Sequence, residues 1–352
     1  MTDYAKIRHD LHCHPETAGN EQFTHNTIIA HLQTLHPTKV YTHVGGWGVV
    51  AVWGTTSDKI TAFRADTDAL PFGHCCGHDG HTTVLLRFAE MVDEQKMNGI
   101  MLIWQPAEET GEGARAVLES GILQQYDIDA IYAMHNVPGY ILGDIVICSD
   151  VTFAAASVGV VYTFEGRSTH ASTPEYGVSP GLAISDLIRQ FSKINRNDNI
   201  FRLATLICVR IGEPAFGTAA GSGEVMYTLR TFSDKEMETL IREAGKIADD
   251  IAKFYNLKLT REMRDPFRAT VNDRGCMEIV SNSMPGRLIT RPPFRWSEDF
   301  GEYLHHYRGA MFGIGSGTRH PELHNPTYDF PDELIEPAAQ VFCNIAAQRA
   351  IS

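Results

Sequence analysis

Short β-rich runs alternate with apolar residues at helical spacing through the first 150 residues of the chain. The strand-like runs are KVYTHV, GVVAVW, KITAFRAD, GIMLIWQP and DAIYAMH. Between them, Val84, Leu85, Phe88 and Val92 form one helical stripe, and two further amphipathic stripes precede the first strand. This alternation predicts an α/β domain with a mainly parallel, doubly wound sheet.

The segment from residue 157 to residue 264 has a different order of elements. A strand is followed by a helix over Gly177 to Ile194, two strands, a long helix over Asp234 to Tyr255 and a last strand. This β-α-β-β-α-β order is the split βαβ pattern of a ferredoxin-like unit. The α/β pattern then returns and ends in a helix over Leu334 to Arg349. We therefore expect one domain made of residues 1–156 and 265–352, interrupted by an inserted domain of residues 157–264.

The composition excludes several classes of function. The 352 residues carry 30 Lys and Arg against 43 Asp and Glu, a formal charge of −13, and no basic run is present, which disfavours nucleic-acid binding. No apolar stretch approaches the roughly 18 residues that span a bilayer, so no membrane partner is expected. A polar amino terminus and seven scattered Cys favour a reducing, cytoplasmic setting.

Residues able to bind metal or transfer protons cluster where the predicted strands end. In open α/β sheets, ligands bind beyond the carboxyl ends of the strands. The residues at or near these ends are Asp66, Asp68, Cys76, His78, His81, Glu108, Glu109 and His135. Thiolate, imidazole and carboxylate groups together suit a divalent transition metal, most often zinc, with manganese, cobalt or nickel as alternatives. We therefore expect a metal site at this edge of the sheet.

Other interpretations of the same residues remain open. Cys76 could be a small buried apolar residue next to a helix start, and the Glu pair could be a solvated acidic turn. Cys76 could also be a nucleophile with His78 or His81 as its base. Adjacent carboxylates at a strand end point in different directions, however, so that one can bind metal while the other accepts a proton from water.

Eight sequence strings together resemble one family of enzymes. In chain order they are LHxxPE (Leu11 to Glu16), RADTDALP, CCGHDGHTT, LIWQPAEETGEGA, the strand with His135, EGRSTHASTP, SEDFGEYL and LHNPTYDF. The same order is found in the zinc-peptidase-like, metal-dependent amidohydrolases related to aminoacylase, hippurate hydrolase and indole-acetyl-amino-acid hydrolase. The resemblance covers nearly the whole chain.

The resemblance implies a catalytic domain with a centre of two divalent metal ions, covered by the inserted domain as a lid. The implied ligands are Cys76, His78, Glu109, His135 and His324, with Cys76 similar to the bridging residue of the family. Glu108 resembles the general base. Asp68 resembles the carboxylate that orients a ligating imidazole.

Two residues of the inserted domain are implied to contact the substrate. His170 matches the residue that polarises the scissile carbonyl or binds the substrate, often across a dimer interface. Arg230 matches an Arg that could hold a substrate carboxylate, although it could equally be a surface Arg on a strand. A homodimer through the inserted domain is expected, because split βαβ sheets expose an edge strand.

The sequence departs from the family pattern at two places. Only residues 72–75 lie between DALP and Cys76, where relatives have a longer connection. Gly217 stands where relatives tend to have Asn. These differences put the usual specificity in doubt, so two hypotheses follow. The first is hydrolysis of the amide bond of a small N-acyl amino acid or dipeptide-like substrate, and the alternative is a non-catalytic protein that binds a small molecule.

Overall fold

The computed structural model of the protein describes residues 2–194, 200–283 and 287–351. The chain divides into two compact units. The first unit contains Met1–Phe153, Thr270–Phe294 and Glu298–Ser352, and the second contains Ala154–Ala269 and Arg295–Ser297. The first unit is therefore discontinuous in sequence.

The first unit begins with two helices and continues with alternating strands and helices. Its elements up to the start of the second unit are α1 Tyr4–His12, α2 Gln22–Leu32, β1 Lys39–Val44, β2 Gly48–Trp53, β3 Lys59–Asp66, α3 His78–Glu94, β4 Ile100–Gln105, α4 Gly113–Glu119, β5 Asp127–Val137, β6 Ile145–Cys148 and β7 Thr152–Ala154.

Among its described residues, the second unit contains four long strands, two short strands and two helices. They are β8 Ala156–Glu165, β9 Thr169–His170, α5 Gly181–Phe191, β10 Arg202–Ile211, β11 Thr218–Ala219, β12 Ser222–Thr231, α6 Asp234–Phe254 and β13 Lys258–Phe267. The chain then returns to the first unit with β14 Thr270–Val271, α7 Arg274–Asn282, β15 Leu288–Arg291, α8 Gly301–His306, β16 Gly309–Gly315 and α9 Ile335–Ile351.

An eight-stranded sheet forms the centre of the first unit, in the order β1-β2-β4-β3-β5-β16-β6-β15. The inner strands β4, β3, β5 and β16 pair in parallel, whereas β1, β2 and the β16–β6 pair are antiparallel. Strands β2, β4 and β16 are buried at every residue, as expected for strands covered on both faces. Helices α3 and α9 supply apolar residues to the same core.

A four-stranded antiparallel sheet forms the second unit, in the order β10-β12-β8-β13. With α5 and α6 between the strands, this is the split βαβ order of a ferredoxin-like unit. The two helices pack on the sheet through a core that includes Leu187, Phe191 and Leu240. Strands β10 and β13 form the two edges.

Some element boundaries differ from the sequence expectations. Helix α5 begins at Gly181, four residues later than expected, because Pro180 is its N-cap and residues 174–176 form a separate 3-10 turn. The helical spacing of Ile28, Leu32 and Leu35 predicts a helix that includes all three, but α2 ends at Leu32, so Leu35 lies beyond it. In the part of the chain that the structure describes, no helix has the length and apolar character needed to cross a bilayer.

Candidate metal centre

Three neighbouring strands of the large sheet place their carboxyl ends at the same edge. Strand β3 ends at Asp66 and pairs in parallel with both β4 and β5. Pro106 follows β4 and leads into Glu108 and Glu109, while His135 lies near the end of β5. Helix α3 begins at His78 beside these ends. The topology thus gathers side chains that are far apart in sequence.

The five expected ligand residues come together in the first unit. Single donor atoms of Cys76, His78 and His135 lie within 4.8 Å of one another, and so do those of Cys76, Glu109 and His324. The Sγ atom of Cys76 is 3.7 Å from Nε2 of His135. The Oε1 atom of Glu109 is 3.9 Å from Nε2 of His324 and 4.0 Å from Nε2 of His78. Glu109 therefore lies between two imidazoles.

Two of these imidazoles are oriented by backbone carbonyl groups. Nδ1 of His78 is 2.9 Å from the carbonyl oxygen of Asp68, and Nδ1 of His135 is 2.8 Å from that of Asn136. A carbonyl oxygen only accepts hydrogen bonds, so each Nδ1 carries the proton, and Nε2 is then the acceptor nitrogen of the neutral ring. This is the tautomer that binds metal through Nε2.

Two buried side-chain atoms of the cluster that lack hydrogen-bond partners also fit a metal site. Nε2 of His78 and Oε1 of Glu109 are buried, and neither has a hydrogen-bond partner among the described residues. Buried polar atoms are nearly always paired, so two unpaired atoms 4.0 Å apart fit a metal ion bound between them. Thiol, imidazole and carboxylate donors are the types that zinc and similar divalent ions bind.

Burial is the largest cause of the raised pKa values of three acidic groups in the candidate site. It raises the pKa of Glu108 well above its usual range, and the carboxylates of Glu298 and Asp299 raise that pKa further. Burial also raises the pKa of Glu109 to about 7 and that of the Cys76 thiol to about 12. A bound divalent cation favours the ionised form of each of these groups.

Asp68 connects two parts of the site. Its Oδ1 and Oδ2 accept hydrogen bonds from the backbone amides of Glu108 and Glu109, each at 3.0 Å. Its carbonyl oxygen is the partner of His78. One buried residue therefore fixes both the Glu pair and a candidate ligand.

A buried network of ion pairs around Arg64 was not predicted from the sequence. Arg64 lies in β3 and donates to Asp66 at 2.6 Å, to Glu298 at 2.9 Å and to Asp299 at 2.6 Å. Its Nε donates to Gln105 at 2.8 Å. The sequence signal for this network is a charged residue inside an otherwise apolar strand, which requires a buried partner.

The hydrogen-bond contacts of His81 argue against its acting as a base for Cys76. Its Nδ1 is 2.5 Å from Oδ1 of Asp66, and its Nε2 contacts Oδ1 of Asn136. Both ring nitrogens are therefore engaged by oxygen atoms. Although Asp66, His78 and His81 also form a possible metal-binding group, the Asp66 carboxylate is already bound by Arg64.

His170 and Arg230 belong to the second unit. His170 is exposed in β9, where Nδ1 is 2.6 Å from the hydroxyl oxygen of Ser172. Arg230 lies in β12, and its Nη1 donates to the hydroxyl of Ser297 at 2.8 Å. The backbone carbonyl of Gly217 accepts from the amide of Ala171. Apart from Gly217 and its two neighbours in the chain, no described residue has an atom within 4 Å of the position a Cβ would take there.

Comparison with known proteins identifies the family. The model for peptidase family M20/M25/M40 matches residues 62–348. The chain belongs to this family. The prediction of a hydrolase is thereby confirmed, and so is the resemblance noted from the sequence motifs.

Relatives of this M20 family protein match over nearly their whole lengths. An uncharacterized hydrolase of Staphylococcus haemolyticus is 29% identical and covers 94% of each chain. The hippurate hydrolase of Campylobacter jejuni is 28% identical, covering 98% of this chain and 96% of its own. The crystal structure of a dinuclear metal binding peptidase of the M20 family from Bacillus subtilis has a TM-score of 0.84 at 23% identity, covering 99% of this chain and 98% of that chain. That likeness confirms the predicted α/β fold.

Proposed function

We propose that this M20 family protein hydrolyses the amide bond of small N-acyl amino acids or dipeptide-like substrates. The observation that carries the proposal is the cluster of metal-binding donor atoms around Glu109, with Glu108 directly beside it. The matching hippurate hydrolase supports this substrate class, because hippurate is an N-acyl amino acid.

Two divalent metal ions, zinc or alternatively manganese, cobalt or nickel, are the proposed cofactors. The residues that would hold them are Cys76, His78, Glu109, His135 and His324. Bound there, such ions polarise a substrate carbonyl and lower the pKa of water. The description of the Bacillus subtilis relative as a dinuclear metal binding peptidase supports this cofactor.

Glu108 is the proposed general base. It accepts a proton from the attacking water and later passes it to the leaving amine. Its side chain is only 6% exposed, and its Oε1 accepts a 3.3 Å hydrogen bond from the backbone amide of Asp299. Burial of this kind raises the affinity of a carboxylate for a proton, which an efficient base near neutral pH requires.

Asp68 orients this pair of carboxylates and the imidazole of His78. The amides of Glu108 and Glu109 donate to its two carboxylate oxygens, which limits rotation of the loop. A catalytic group that is held in place loses less entropy when the substrate binds. Asp68 therefore contributes to the reaction through the groups that it positions.

His170 and Arg230 are the proposed substrate-binding residues of the second unit. His170 stabilises the negative charge that develops on the carbonyl oxygen, and contact with Ser172 orients its ring. Arg230 binds the substrate carboxylate, for which a planar guanidinium is well suited. We also propose a homodimer formed through the second unit.

The Glu108→Gln variant tests the proposal. Turnover of a panel of acetyl-, benzoyl- and indole-acyl amino acids is measured with added zinc, manganese or cobalt, together with the ratio of metal to protein. We expect kcat to fall by at least about 100-fold while metal content matches the wild type. Glu112→Gln changes an exposed carboxylate in the same loop and serves as the matched control.

Near wild-type turnover by Glu108→Gln would exclude Glu108 as the base. Saturable binding of the same compounds by the wild type, without turnover of any, would favour the alternative of a small-molecule binding protein.

A further inference from the structure

The backbone amides of three consecutive residues, Ala107, Glu108 and Glu109, donate hydrogen bonds to two buried carboxylates. Asp68 accepts from Glu108 and Glu109. The third amide, that of Ala107, donates to Oε1 of Glu21 at 2.9 Å. Glu21 is 1% exposed and lies 86 residues away in sequence. A residue from the start of α2 therefore reaches the loop after β4.

The side chain of Glu21 does not serve its own helix. Glu21 is the N-cap of α2, yet it makes no capping hydrogen bond with its side chain. Glu16 takes that role, because its two carboxylate oxygens accept from the amides of Phe23 and Thr24 at 2.8 and 2.9 Å. The Oε1 atom of Glu21 instead accepts from the distant Ala107 amide and, at 3.0 Å, from the amide of Gly19.

The amide that Glu21 holds belongs to a residue with an unusual backbone. Ala107 has a φ angle of 55°, a left-handed conformation that is sterically unfavourable for a residue with a Cβ. A strong acceptor for its amide compensates part of this cost. The amide of Gly113 closes the turn on the other side by donating to the carbonyl of Ala107 at 3.0 Å.

The turn at Ala107 separates the directions of the two following side chains. Oε1 of Glu108 reaches the amide of Asp299, whereas Oε1 of Glu109 lies near His78 and His324. The two carboxylates can take separate roles only while the turn keeps this form.

We propose that Glu21 is a positioning residue that holds the left-handed turn at Ala107 and so directs Glu108 and Glu109 to their separate places. The roles of the two glutamates in this inference rest on the proposed function. Glu21 is not one of the proposed ligands or substrate-binding residues, so its effect passes through the loop that it holds.

The first experiment compares Glu21→Ala with a matched control in the same segment. Zinc affinity is measured by competition with a chromophoric chelator, and kcat and KM are measured on the metal-loaded enzyme. We expect Glu21→Ala to weaken zinc binding about 10-fold or more and to lower kcat. Glu16→Ala removes two similar hydrogen bonds from α2 and is expected to lower stability without changing zinc affinity. Glu21→Gln keeps an acceptor oxygen and is expected to restore most of the affinity.

The second experiment tests the turn directly by adding Ala107→Gly. Glycine adopts positive φ without the steric cost, so the loss caused by Glu21→Ala is expected to be smaller in the Ala107→Gly background. An equal loss in both backgrounds would mean that Glu21 does not act through the turn, and the inference would be overturned.

Glu109→Ala separates this inference from the proposed function. Weakened zinc binding in Glu109→Ala but normal binding in Glu21→Ala would overturn the role of Glu21 alone. Normal zinc binding in both variants would overturn the metal centre and, with it, the inference that depends on it.

Discussion

The guanidinium of Arg64 donates a 2.6 Å hydrogen bond to the carboxylate of Asp299, a residue 235 positions away in the chain. Both side chains are at most 1% exposed. Arg64 also pairs with Asp66 and Glu298, so one buried cation faces three buried carboxylates. This arrangement joins the centre of the sheet to the segment that carries the amide bound to Glu108.

Removal of the Arg64 guanidinium should destabilise the first unit strongly. Arg64→Met leaves the carboxylates buried without their partner, and we expect the free energy of unfolding to fall by about 3–5 kcal/mol. The measurement is denaturant unfolding followed by circular dichroism. Arg115→Met breaks a half-exposed pair with Glu302 and should cost less than about 1 kcal/mol. Equally small decreases in the free energy of unfolding of the two variants would contradict a structural role for the network.

Two buried histidines of α2 should make the protein less stable at mildly acidic pH. Burial lowers the pKa of His25 and His31 below its usual value. As pH falls below about 6.5, the unfolded chain binds protons that the folded chain excludes, so stability present above that pH is progressively lost.

The measurement for this pH effect is the unfolding midpoint between pH 7.5 and pH 5. His31→Gln should reduce the change of the unfolding midpoint with pH over this interval. His306→Gln, at an exposed position of α8, should not. An unchanged slope in His31→Gln would show that this residue does not contribute.

Adjacent cysteines provide a matched test of the metal centre. Cys76 lies among the candidate ligands, whereas Cys75 is buried in the apolar core. We expect Cys76→Ala to bind less metal per chain than the wild type and Cys75→Ala to bind the same amount, as measured by inductively coupled plasma mass spectrometry. Full metal content in Cys76→Ala would show that this thiol is not a ligand.

The edges of the small sheet give a test of dimerisation. Edge strand β10 exposes Leu206, Ile207, Val209 and Ile211, and such an edge can pair with a second copy. Ile207→Lys places a charge on this edge and should shift the protein toward the monomer in size-exclusion chromatography with light scattering. Met263→Lys alters the opposite edge strand at a similarly exposed position. A dimer unaffected by Ile207→Lys would argue against this edge.

Local sequence signals were sufficient to predict that the strand-end residues of the candidate site lie at one edge of the sheet. Glu108, Glu109 and His135 could be predicted because a parallel sheet brings its carboxyl ends together. His324 was placed only by family resemblance, because it lies in a loop without a strand to locate it. In the structure its backbone amide donates to the carbonyl of Cys75, which ties that loop to the site.

The long-range polar contacts could not be predicted from local patterns. Glu21 precedes a helix and has the appearance of an ordinary helix-start residue, although its side chain binds a loop 86 residues away. The partners of Arg64 are likewise distant in sequence. Periodicity predicts which face of an element is buried, but it does not identify the polar group that will lie opposite.

The discontinuity of the first unit also sets the order in which the protein can be completed during synthesis. Strand β16 lies next to β5 in the large sheet, and Arg64 needs Glu298 and Asp299, all of which follow the second unit in the chain. A ribosome therefore finishes the whole second unit before it supplies the strand and the charges that complete the first. Because domains generally fold as units during synthesis, we expect the second unit, which begins later in the chain, to reach its native structure before the first unit does.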